Sequence, residues 1–420
     1  MLESYHWFFY LFLSLYFLHL VIEFVLDVLN LKEMHRNRHR IPALFEGVFS
    51  QDDYEKSIAY TNEKTRFAWL KSFFEIIFIW AFILSGAFYN ADLWLQQWLT
   101  PHSLIHQVTY PLLIAGLFYL LNLPFDLYFH FVLEEKYGFN KMSLGLYISD
   151  QLKTMLLSAI LGVPLLALLF WLMGKLGSSW WLAGWGVILL FQLLMAAILP
   201  TVIVPLFYKL SPLAEGELKE KLTALAEQIR FKMSGIFTMD GSKRSAHSNA
   251  FFAGIGKTRR IILFDTLTSK LSTEEILSVI AHEMGHSKKK HILKGLIIGA
   301  ISTLISLYVL SLCLNWKPFF WAFQVPVPSL HIGFVLFSLF AGVFTFPFTP
   351  LSNWISRRNE YEADRFSVET TKDKAHMISS LVKLSKDNLS NLTPHPLYSA
   401  YHYSHPTTME RAKAIEEIEL

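Results

Sequence analysis

Cysteine is almost absent from this chain of 420 residues, in which Cys313 is the only one. A single cysteine excludes an internal disulfide framework and a zinc cluster built from cysteine ligands. Charge is also scarce, because only 17% of the residues are charged, whereas about a quarter is usual in a soluble protein. The net charge of +3 does not support a nucleic-acid-binding surface, and we expect no nucleic-acid partner.

Apolar residues make up 53% of the chain and are gathered into long runs. The first run, 7–29, is too long for the core of a cleavable signal peptide, so we interpret it as a membrane span. Runs of roughly 20 apolar residues are long enough to cross a bilayer. The runs of this length are 7–29, 67–90, 104–132, 152–174, 180–206, 292–314 and 330–351. The sequence therefore predicts a mainly α-helical, polytopic membrane protein with seven transmembrane helices.

Lys and Arg are unevenly distributed among the segments that connect these runs. They are frequent in 31–66, 133–151, 207–291 and 352–420, and scarce in the other three connections. The positive-inside rule then predicts an outside N-terminus and a cytoplasmic C-terminus. The predicted organisation is transmembrane helices 1–5 in 1–206, a cytoplasmic catalytic region in 207–291, helices 6–7 in 292–351, and a second cytoplasmic catalytic region in 352–420.

The polar segment 207–291 has the pattern of a small α+β unit. It opens with a helical stretch, "EGELKEKLTALAEQI", and continues with the strand-like pieces "GIFTMD", "SNAFFAG" and "RRIILFD". Ser272 and Glu275 have capping-box spacing and precede an apolar run, which predicts the start of another helix. We expect a small sheet packed on this helix, which carries "HEMGH".

The "HEMGH" motif predicts a zinc site. His282 and His286 are four residues apart on one helix face, so both imidazoles can bind a single ion. Glu283 is displaced by about 100° around the helix, which suits contact with a zinc-bound water rather than with the metal. It would take a proton from that water and pass it to the leaving amine.

A catalytic zinc ion requires a third protein ligand. The extended motif of the metzincins is excluded, because Lys289 and Ile292 stand where Gly and His would be needed. The Asp-Gly pair of intramembrane zinc proteases has no counterpart in an apolar span, since Asp240 precedes Gly241 in a polar turn. The remaining source is a downstream helix that carries Glu.

The segment "SRRNEYEADRFS" supplies that helix just after the seventh span. Glu360 and Asp364 are four apart and share a face, so one carboxylate can bind the metal while the other orients a ligand histidine. Glu362 is expected to point elsewhere.

Together these motifs resemble the Ste24-type CAAX prenyl proteases, which are M48 zinc metalloproteases of membranes. The resemblance rests on "EEKYGFNK", "SNAFFAG…RRIILFDTL", "HEMGH", "EYEAD" and "YHYSHPTTMERAKAI", which occur in the family's order and cover essentially the whole chain. It implies a zinc endopeptidase with a gluzincin-like catalytic domain, and membrane helices that enclose a chamber. It also implies one Zn²⁺ per chain, with His282, His286 and Glu360 as ligands, Glu283 as general base and Asp364 as a supporting catalytic carboxylate.

The resemblance assigns four further residues. His405 would stabilise the developing oxyanion, and Arg411 would pair with acidic groups near the metal. Asn249 and Ala250 would belong to an edge strand to which the substrate peptide adds by backbone hydrogen bonds. No chemical role follows for "EEKYGFNK".

Ionisable side chains recur at helical spacing inside the predicted spans, including Glu23 and Asp27 in the first and Asp126 in the third. Such groups are expensive at membrane depth unless they face water or each other. Two interpretations stay open: a polar stripe that lines a water-filled chamber, or interhelical ion pairs with side chains reaching the membrane surface.

The sequence thus predicts a membrane zinc endopeptidase whose substrates are CAAX-type C-terminal peptides, with or without a prenyl group. The alternatives are a general quality-control protease for membrane proteins, and a non-catalytic transport or scaffold protein with a vestigial site. We expect a monomer whose partners are a peptide or protein substrate and the lipid bilayer. The bacterial inner membrane is favoured as its location, or the endoplasmic reticulum membrane if the protein is eukaryotic.

Overall fold

The computed structural model describes residues 7–254 and 259–420 and is mainly α-helical. Within these residues, seven helical segments are long and apolar enough to cross a membrane. They are Trp7–Arg36, Gln51–Leu84, Leu104–Glu134, Leu144–Lys175, Gly177–Phe207, His291–Leu314 and Leu330–Thr371. The seven predicted spans are therefore confirmed, although two of the helices extend well beyond their apolar runs.

The first half of the chain forms the helices α1 (Trp7–Arg36), α2 (Gln51–Leu84), α3 (Ala87–Leu95), α4 (Leu104–Tyr128), α5 (Leu144–Lys175), α6 (Trp180–Ile198), α7 (Val204–Phe207) and α8 (Glu217–Gln228). The second half forms α9 (Asp265–Thr268), α10 (Thr273–Lys288), α11 (His291–Leu314), α12 (Lys317–Trp321), α13 (Leu330–Thr345), α14 (Thr349–Thr371), α15 (Lys374–Asp387), α16 (Pro396–His402) and α17 (Thr408–Glu416). Wider π-helical turns follow α4 at Phe129–Glu134 and α6 at Leu199–Ile203.

Helix α2 begins at Gln51, well before the apolar run that starts near residue 67. Ser50 fixes this start, because its hydroxyl accepts a hydrogen bond from the Asp53 N–H at 3.1 Å and the Asp53 carboxylate accepts one from the Ser50 N–H at 3.1 Å. The polar first half of α2 is held by packing, with Tyr54 and Ile58 in a buried cluster with Val382 of α15. Tertiary contacts thus extend this helix outside the apolar run.

The seventh span continues directly into the helix that carries Glu360. A short 3₁₀ segment, Phe346–Phe348, joins α13 to α14 without a loop. Hydropathy ends the span near residue 351 because polar residues follow, yet those residues continue the helix. The downstream acidic motif is therefore connected rigidly to the membrane bundle.

The small sheet contains the strands β1 (Leu210–Pro212), β2 (Gly235–Met239), β3 (Ala250–Ala253) and β4 (Arg260–Phe264) in the order β1-β2-β4-β3. Strands β2 and β4 are parallel, and the other two pairs are antiparallel. The three predicted strands are confirmed. Strand β1 was not predicted, because a three-residue segment that ends in proline gives no alternating pattern.

The sheet packs against α10 and α8, as expected. Ile261 and Leu263 of β4 lie in one buried cluster with Ile280 and Met284 of α10 and Leu222 of α8. Because apolar positions on α10 bury this face, the histidines of the motif point toward α14 on another side.

The ionisable groups of the membrane helices are paired, and some also line cavities. Glu23 lies 3.3 Å from His19, and Asp126 lies 3.5 Å from His130, each within its own helix. A cavity of about 620 Å³ is bordered by Asp27 and by His405, and another of about 550 Å³ is bordered by Asp126. The ionisable groups can therefore both pair with each other and line a chamber, so the two interpretations of the polar stripe are compatible.

Candidate metal centre

Helix α10 begins with the predicted capping box. The Ser272 hydroxyl accepts a hydrogen bond from the Glu275 N–H at 3.3 Å, and the Glu275 carboxylate accepts one from the Ser272 N–H at 2.8 Å. Glu275 is buried and also binds Lys383 of α15 at 2.7 Å. This anchored start fixes the rotation of α10, and therefore the direction in which its histidines point.

Gly285 allows α10 and α14 to approach closely. A Cβ atom at this position would lie 3.2 Å from both Cα and O of Ala363 and 3.1 Å from Cδ1 of Phe366. Because two of these neighbours are backbone atoms, they cannot rotate away. The glycine inside the motif thus sets the distance between the two helices that carry the site.

We expect Gly285→Ala to lower the free energy of unfolding by about 1–3 kcal/mol, because the added methyl group overpacks this contact. It should also weaken metal binding, since the helices are forced apart. Thermal unfolding and zinc titration of the purified protein measure both effects. The matched control is Gly295→Ala in α11, where a Cβ meets no atom within 4 Å; equal effects of the two substitutions would contradict the argument.

Three predicted ligands converge between α10 and α14. Nε2 of His282 lies 3.1 Å from Nε2 of His286 and 3.4 Å from Oε2 of Glu360. Nε2 of His286 lies 3.2 Å from Oε1 of Glu360. His282 and Glu360 are buried, at 6% and 3% exposure, so few waters can compete for this space.

These separations fit a tetrahedral zinc ion. Ligand atoms at about 2.1 Å from such an ion are roughly 3.4 Å apart, close to the three distances observed. Among the described residues, Oε2 of Glu360 is buried without a hydrogen bond of acceptable geometry, although Nδ1 of His405 lies 2.7 Å from it, and a bound cation would satisfy this oxygen. Two imidazoles and one carboxylate are one of the donor sets found in catalytic zinc sites.

Asp364 and Arg411 support His282 from behind. Oδ1 of Asp364 lies 2.8 Å from Nδ1 of His282, and both carboxylate oxygens accept hydrogen bonds from the Arg411 guanidinium, at 2.5 and 2.8 Å. A carboxylate on the second ring nitrogen fixes the orientation of a ligand histidine and leaves Nε2 free for metal. Asp364 thus lies where a carboxylate that orients His282 would lie, and its catalytic role stays a prediction.

Burial works to lower the pKa of His282, but the hydrogen bonds to Asp364 and Glu360 outweigh it and raise the pKa to about 9. Below pH 9 the metal-free ring is therefore protonated, and zinc must displace that proton. We expect binding at pH 7 to release about one proton from this group, and the apparent affinity to fall about tenfold per pH unit below 9. Calorimetric titration in buffers of different ionisation enthalpy measures the release; a pH-independent affinity would contradict it.

His286 has a different support, which the sequence did not suggest. Its Nδ1 lies 3.0 Å from Nδ1 of His291, and Nε2 of His291 lies 3.1 Å from Oε2 of Glu362. Glu362 does not contact the three ligands, as expected, yet it is linked to them through His291. Lys290 adopts a left-handed conformation with φ 60°, which ends α10 and returns His291 toward His286.

We expect His291→Ala to weaken zinc binding by about 10–100-fold, because His286 loses the group that orients its ring. Competition with a fluorescent chelator measures the dissociation constant. Lys294→Ala is the matched control, since Lys294 lies 3.7 Å from Glu362 and, among the described residues, touches neither His291 nor a candidate ligand directly. Unchanged affinity in the His291 variant would show that the contact has no orienting effect.

Glu283 lies beside the ligands on α10 and is half-buried. Burial raises its pKa, and the neighbouring histidines His282 and His286 work against that shift. A raised pKa makes a carboxylate a stronger base at neutral pH. The position and the basicity of Glu283 are thus suited to accepting a proton.

His405 lies on the loop before α17, with its side chain 64% exposed. Its Nδ1 is 2.7 Å from Oε2 of Glu360, so only Nε2 remains to contact a substrate. Arg411 is largely occupied by Asp364, and its Nη1 lies 3.9 Å from the same Glu360 oxygen. Both residues therefore lie next to the three candidate ligands: His405 contacts Glu360, and Arg411 contacts Asp364 and approaches Glu360.

Asn249 and Ala250 lie at the outer edge of the sheet, because β3 is its last strand. The Phe264 N–H donates to the Asn249 carbonyl at 3.1 Å. Because backbone groups alternate in direction along an antiparallel pair, those of Ala250 and Phe252 point away from β4, toward the open edge of the sheet. The Ala250 N–H donates to the Asn249 side chain at 2.8 Å. An incoming strand must replace that hydrogen bond.

Comparison with known proteins agrees with this geometry. A family model described as the CAAX prenyl protease N-terminal domain, with five membrane helices, matches residues 30–209. The model of peptidase family M48 matches residues 212–419, which include every residue of the metal centre. The chain belongs to the M48 peptidases.

Relatives of this M48 peptidase match over nearly their full length. A CAAX prenyl protease 1 homolog of Arabidopsis thaliana is 35% identical over 90% of both chains. CAAX prenyl protease 1 of Saccharomyces cerevisiae is 34% identical over 90% of this chain and 89% of its own. The crystal structure of S. mikatae Ste24p superposes with a TM-score of 0.88 at 29% identity and covers 97% of this chain and 98% of that one.

These findings establish the class of activity. The protein is a multi-pass integral-membrane zinc endopeptidase with a mainly helical fold and a small catalytic sheet. The non-catalytic alternative is not favoured, because the family match includes the complete set of candidate ligands together with Glu283.

Proposed function

We propose that this peptidase hydrolyses CAAX-type C-terminal peptides, and that one zinc ion per chain is held by His282, His286 and Glu360. The observation that carries the proposal is the convergence of these three side chains at 3.1–3.4 Å in a buried space. The substrate class rests on the names of the relatives, which are CAAX prenyl proteases.

Each residue near the metal position has its own role in the proposed reaction. Zinc bound here would supply Lewis acidity, which polarises the scissile carbonyl and acidifies water. Glu283 takes the proton of the attacking water and delivers it to the leaving amine. Nδ1 of His405 faces the Glu360 carboxylate, so a contact with the developing oxyanion would use Nε2, which donates only when the ring carries both protons. Asp364 holds Nδ1 of His282, and Arg411 holds Asp364, so the ring is oriented with Nε2 toward the metal position.

The substrate backbone would bind along β3. The Ala250 and Phe252 backbone groups face the free edge of the sheet and can form a further antiparallel pair with an extended peptide. The Asn249 amide satisfies the Ala250 N–H until the peptide arrives. Pairing with β3 recognises the backbone of a peptide and not its side chains. Any preference for particular substrate side chains must therefore come from the cavities.

The cavities between the membrane helices fit a C-terminal substrate. The cavity of about 620 Å³ is bordered by His405 and reaches Lys64 and Asp27 among the membrane helices. The cavity of about 550 Å³ also borders Lys64 and has an aromatic wall that includes Phe125 and Phe129. We propose that the chain terminus enters the first cavity and that a prenyl group, where present, lies against the apolar wall of the second.

Cleavage of an internally quenched CAAX peptide by the purified protein tests the proposal. Matched peptides carry a farnesyl group, lack it, or end in a carboxamide instead of a carboxylate. We expect cleavage three residues from the C-terminus and a lower KM for the farnesylated peptide. Equal cleavage of all three peptides and of unrelated unfolded membrane segments would favour general membrane-protein turnover instead.

We also propose an outside N-terminus, a cytoplasmic active site and a monomeric protein, with the bacterial inner membrane as the location. The catalytic regions would then be 207–291 and 352–420, and the membrane regions 1–206 and 292–351. The distribution of Lys and Arg supports this orientation. The test introduces single cysteines into a Cys313→Ser background and treats cells with a membrane-impermeant thiol reagent. The reagent should label Ser178→Cys in intact cells and Glu220→Cys only after lysis. The reverse labelling pattern would show that the topology is the opposite of the one proposed.

A further inference from the structure

A second group of metal-type side chains is buried far from the catalytic site. Asp92, His106 and His331 each offer a ligand atom within 4.8 Å of the others. They come from α3, the first turn of α4 and the first turn of α13, so three elements distant in sequence form the group. Their exposures are 3%, 0% and 0%.

The two histidines converge on a single carboxylate oxygen. Nε2 of His331 lies 2.6 Å from Oδ1 of Asp92, and Nε2 of His106 lies 3.1 Å from the same atom. Gln96 donates to the other oxygen, Oδ2, at 2.8 Å and so fixes the plane of the carboxylate. Orientation of a carboxylate by a neighbouring amide is the support that ligands require.

Hydrogen bonding leaves this group incompletely satisfied. Among residues 7–254 and 259–420, Nε2 of His106 finds no hydrogen bond of acceptable geometry, although it lies 3.1 Å from Oδ1 of Asp92. An unsatisfied buried donor or acceptor costs about 1–3 kcal/mol. Among the described residues, the ion pairs of Asp92 are with the two histidines alone, so no Lys or Arg balances its charge. A divalent cation would satisfy both groups at once.

We propose that Asp92, His106 and His331 bind a second divalent transition-metal ion, with Zn²⁺ as the best match to two imidazoles and one carboxylate. The site would join α3, α4 and α13 at the end of the bundle opposite the peptidase centre. His331 and Glu360 lie on the same continuous helical segment, Leu330–Thr371. A helix rises about 1.5 Å per residue, so the two residues are roughly 40 Å apart. The two sites are therefore distinct.

Its affinity should be lower than that of the catalytic site. Within the described part of the chain, Nδ1 of His331 is buried without a hydrogen-bond partner, whereas Nδ1 of His282 contacts Asp364. Nδ1 of His106 lies 3.3 Å from the His102 N–H, and coordination through Nε2 requires this long hydrogen bond to be given up. Missing outer partners weaken metal binding by about 10–100-fold.

Metal stoichiometry of the full-length protein tests the proposal. The protein in detergent is loaded with zinc, passed over a desalting column, and its metal and protein contents are measured. We expect two zinc ions per wild-type chain, one in His331→Ala and one in a His282→Ala/His286→Ala double variant. His102→Ala, beside the group but outside it, should keep two.

If the His331→Ala variant does not fold, a second measurement still tests the proposal. In the double variant His282→Ala/His286→Ala, zinc should still raise the unfolding temperature, and Asp92→Asn in that background should abolish the rise. One zinc per wild-type chain, together with no zinc-dependent shift in the double variant, would overturn the proposal. The trio would then be a metal-free hydrogen-bonded contact between helices.

Discussion

Replacing Glu283 by Gln should lower kcat by about 10²–10⁴-fold, because the amide cannot accept the proton of the attacking water. Gln is nearly isosteric with Glu, and Glu283 is not among the three ligands, so the zinc content should not change. The decisive comparison is therefore kcat against metal content in the same preparation. KM should change little if, as proposed, β3 holds the backbone of the substrate.

Glu274→Gln is the matched control for this variant. Glu274 lies on the same helix, but its carboxylate pairs with Lys221 at 2.9 Å on the protein surface. We expect wild-type kcat in this control. A Glu283→Gln enzyme that retains full activity would show that another group accepts the proton, and a variant that loses zinc would show that Glu283 contributes to the metal site.

Replacing His286 by Ala should remove the catalytic zinc ion and, with it, the peptidase activity. The free energy of zinc binding at four-ligand sites is about 10–16 kcal/mol. Loss of one ligand removes roughly a quarter of this free energy, which lowers the affinity by about 10²–10³-fold. Mass spectrometry of the metal content and peptide cleavage at limiting zinc measure the two losses. Excess zinc should restore part of the activity if the remaining ligands still hold the ion.

His35→Ala controls for the general effect of removing a histidine. The His35 ring is exposed at the end of α1 and contacts the Leu31 carbonyl at 2.7 Å. We expect wild-type zinc content and activity in this variant. Wild-type zinc affinity and activity in His286→Ala would contradict the assignment of the ligands.

Local periodicity was sufficient to find one half of the metal centre. His282 and His286 are one turn apart, and a helix places them on one face whatever the rest of the chain does. Glu360 and Asp364 share a face for the same reason, but spacing alone did not say which carboxylate binds the metal. In the structure Glu360 lies between the histidines and Asp364 behind His282, because α14 crosses α10 at Gly285.

His291 shows where periodicity fails. Five residues separate it from His286, which on a continuous helix would place the two side chains on different faces. The left-handed turn at Lys290 breaks the helix and brings the rings to 3.0 Å. A positive φ at lysine is uncommon, so no local pattern predicts the break. The buried trio at Asp92 was missed because its members share no local pattern.

The sequence by itself determined the class of protein: long apolar runs require a membrane, and "HEMGH" requires a helix with two histidines on one face. These features are local, since hydropathy and helical spacing depend only on neighbouring residues. The resemblance assigned Glu360 as the third ligand, but only the tertiary structure decided how Glu360 and Asp364 are placed around the histidines and which groups support each candidate ligand. Those choices depend on how closely the helices pack, and packing distances are set by side chains that lie far apart in the chain.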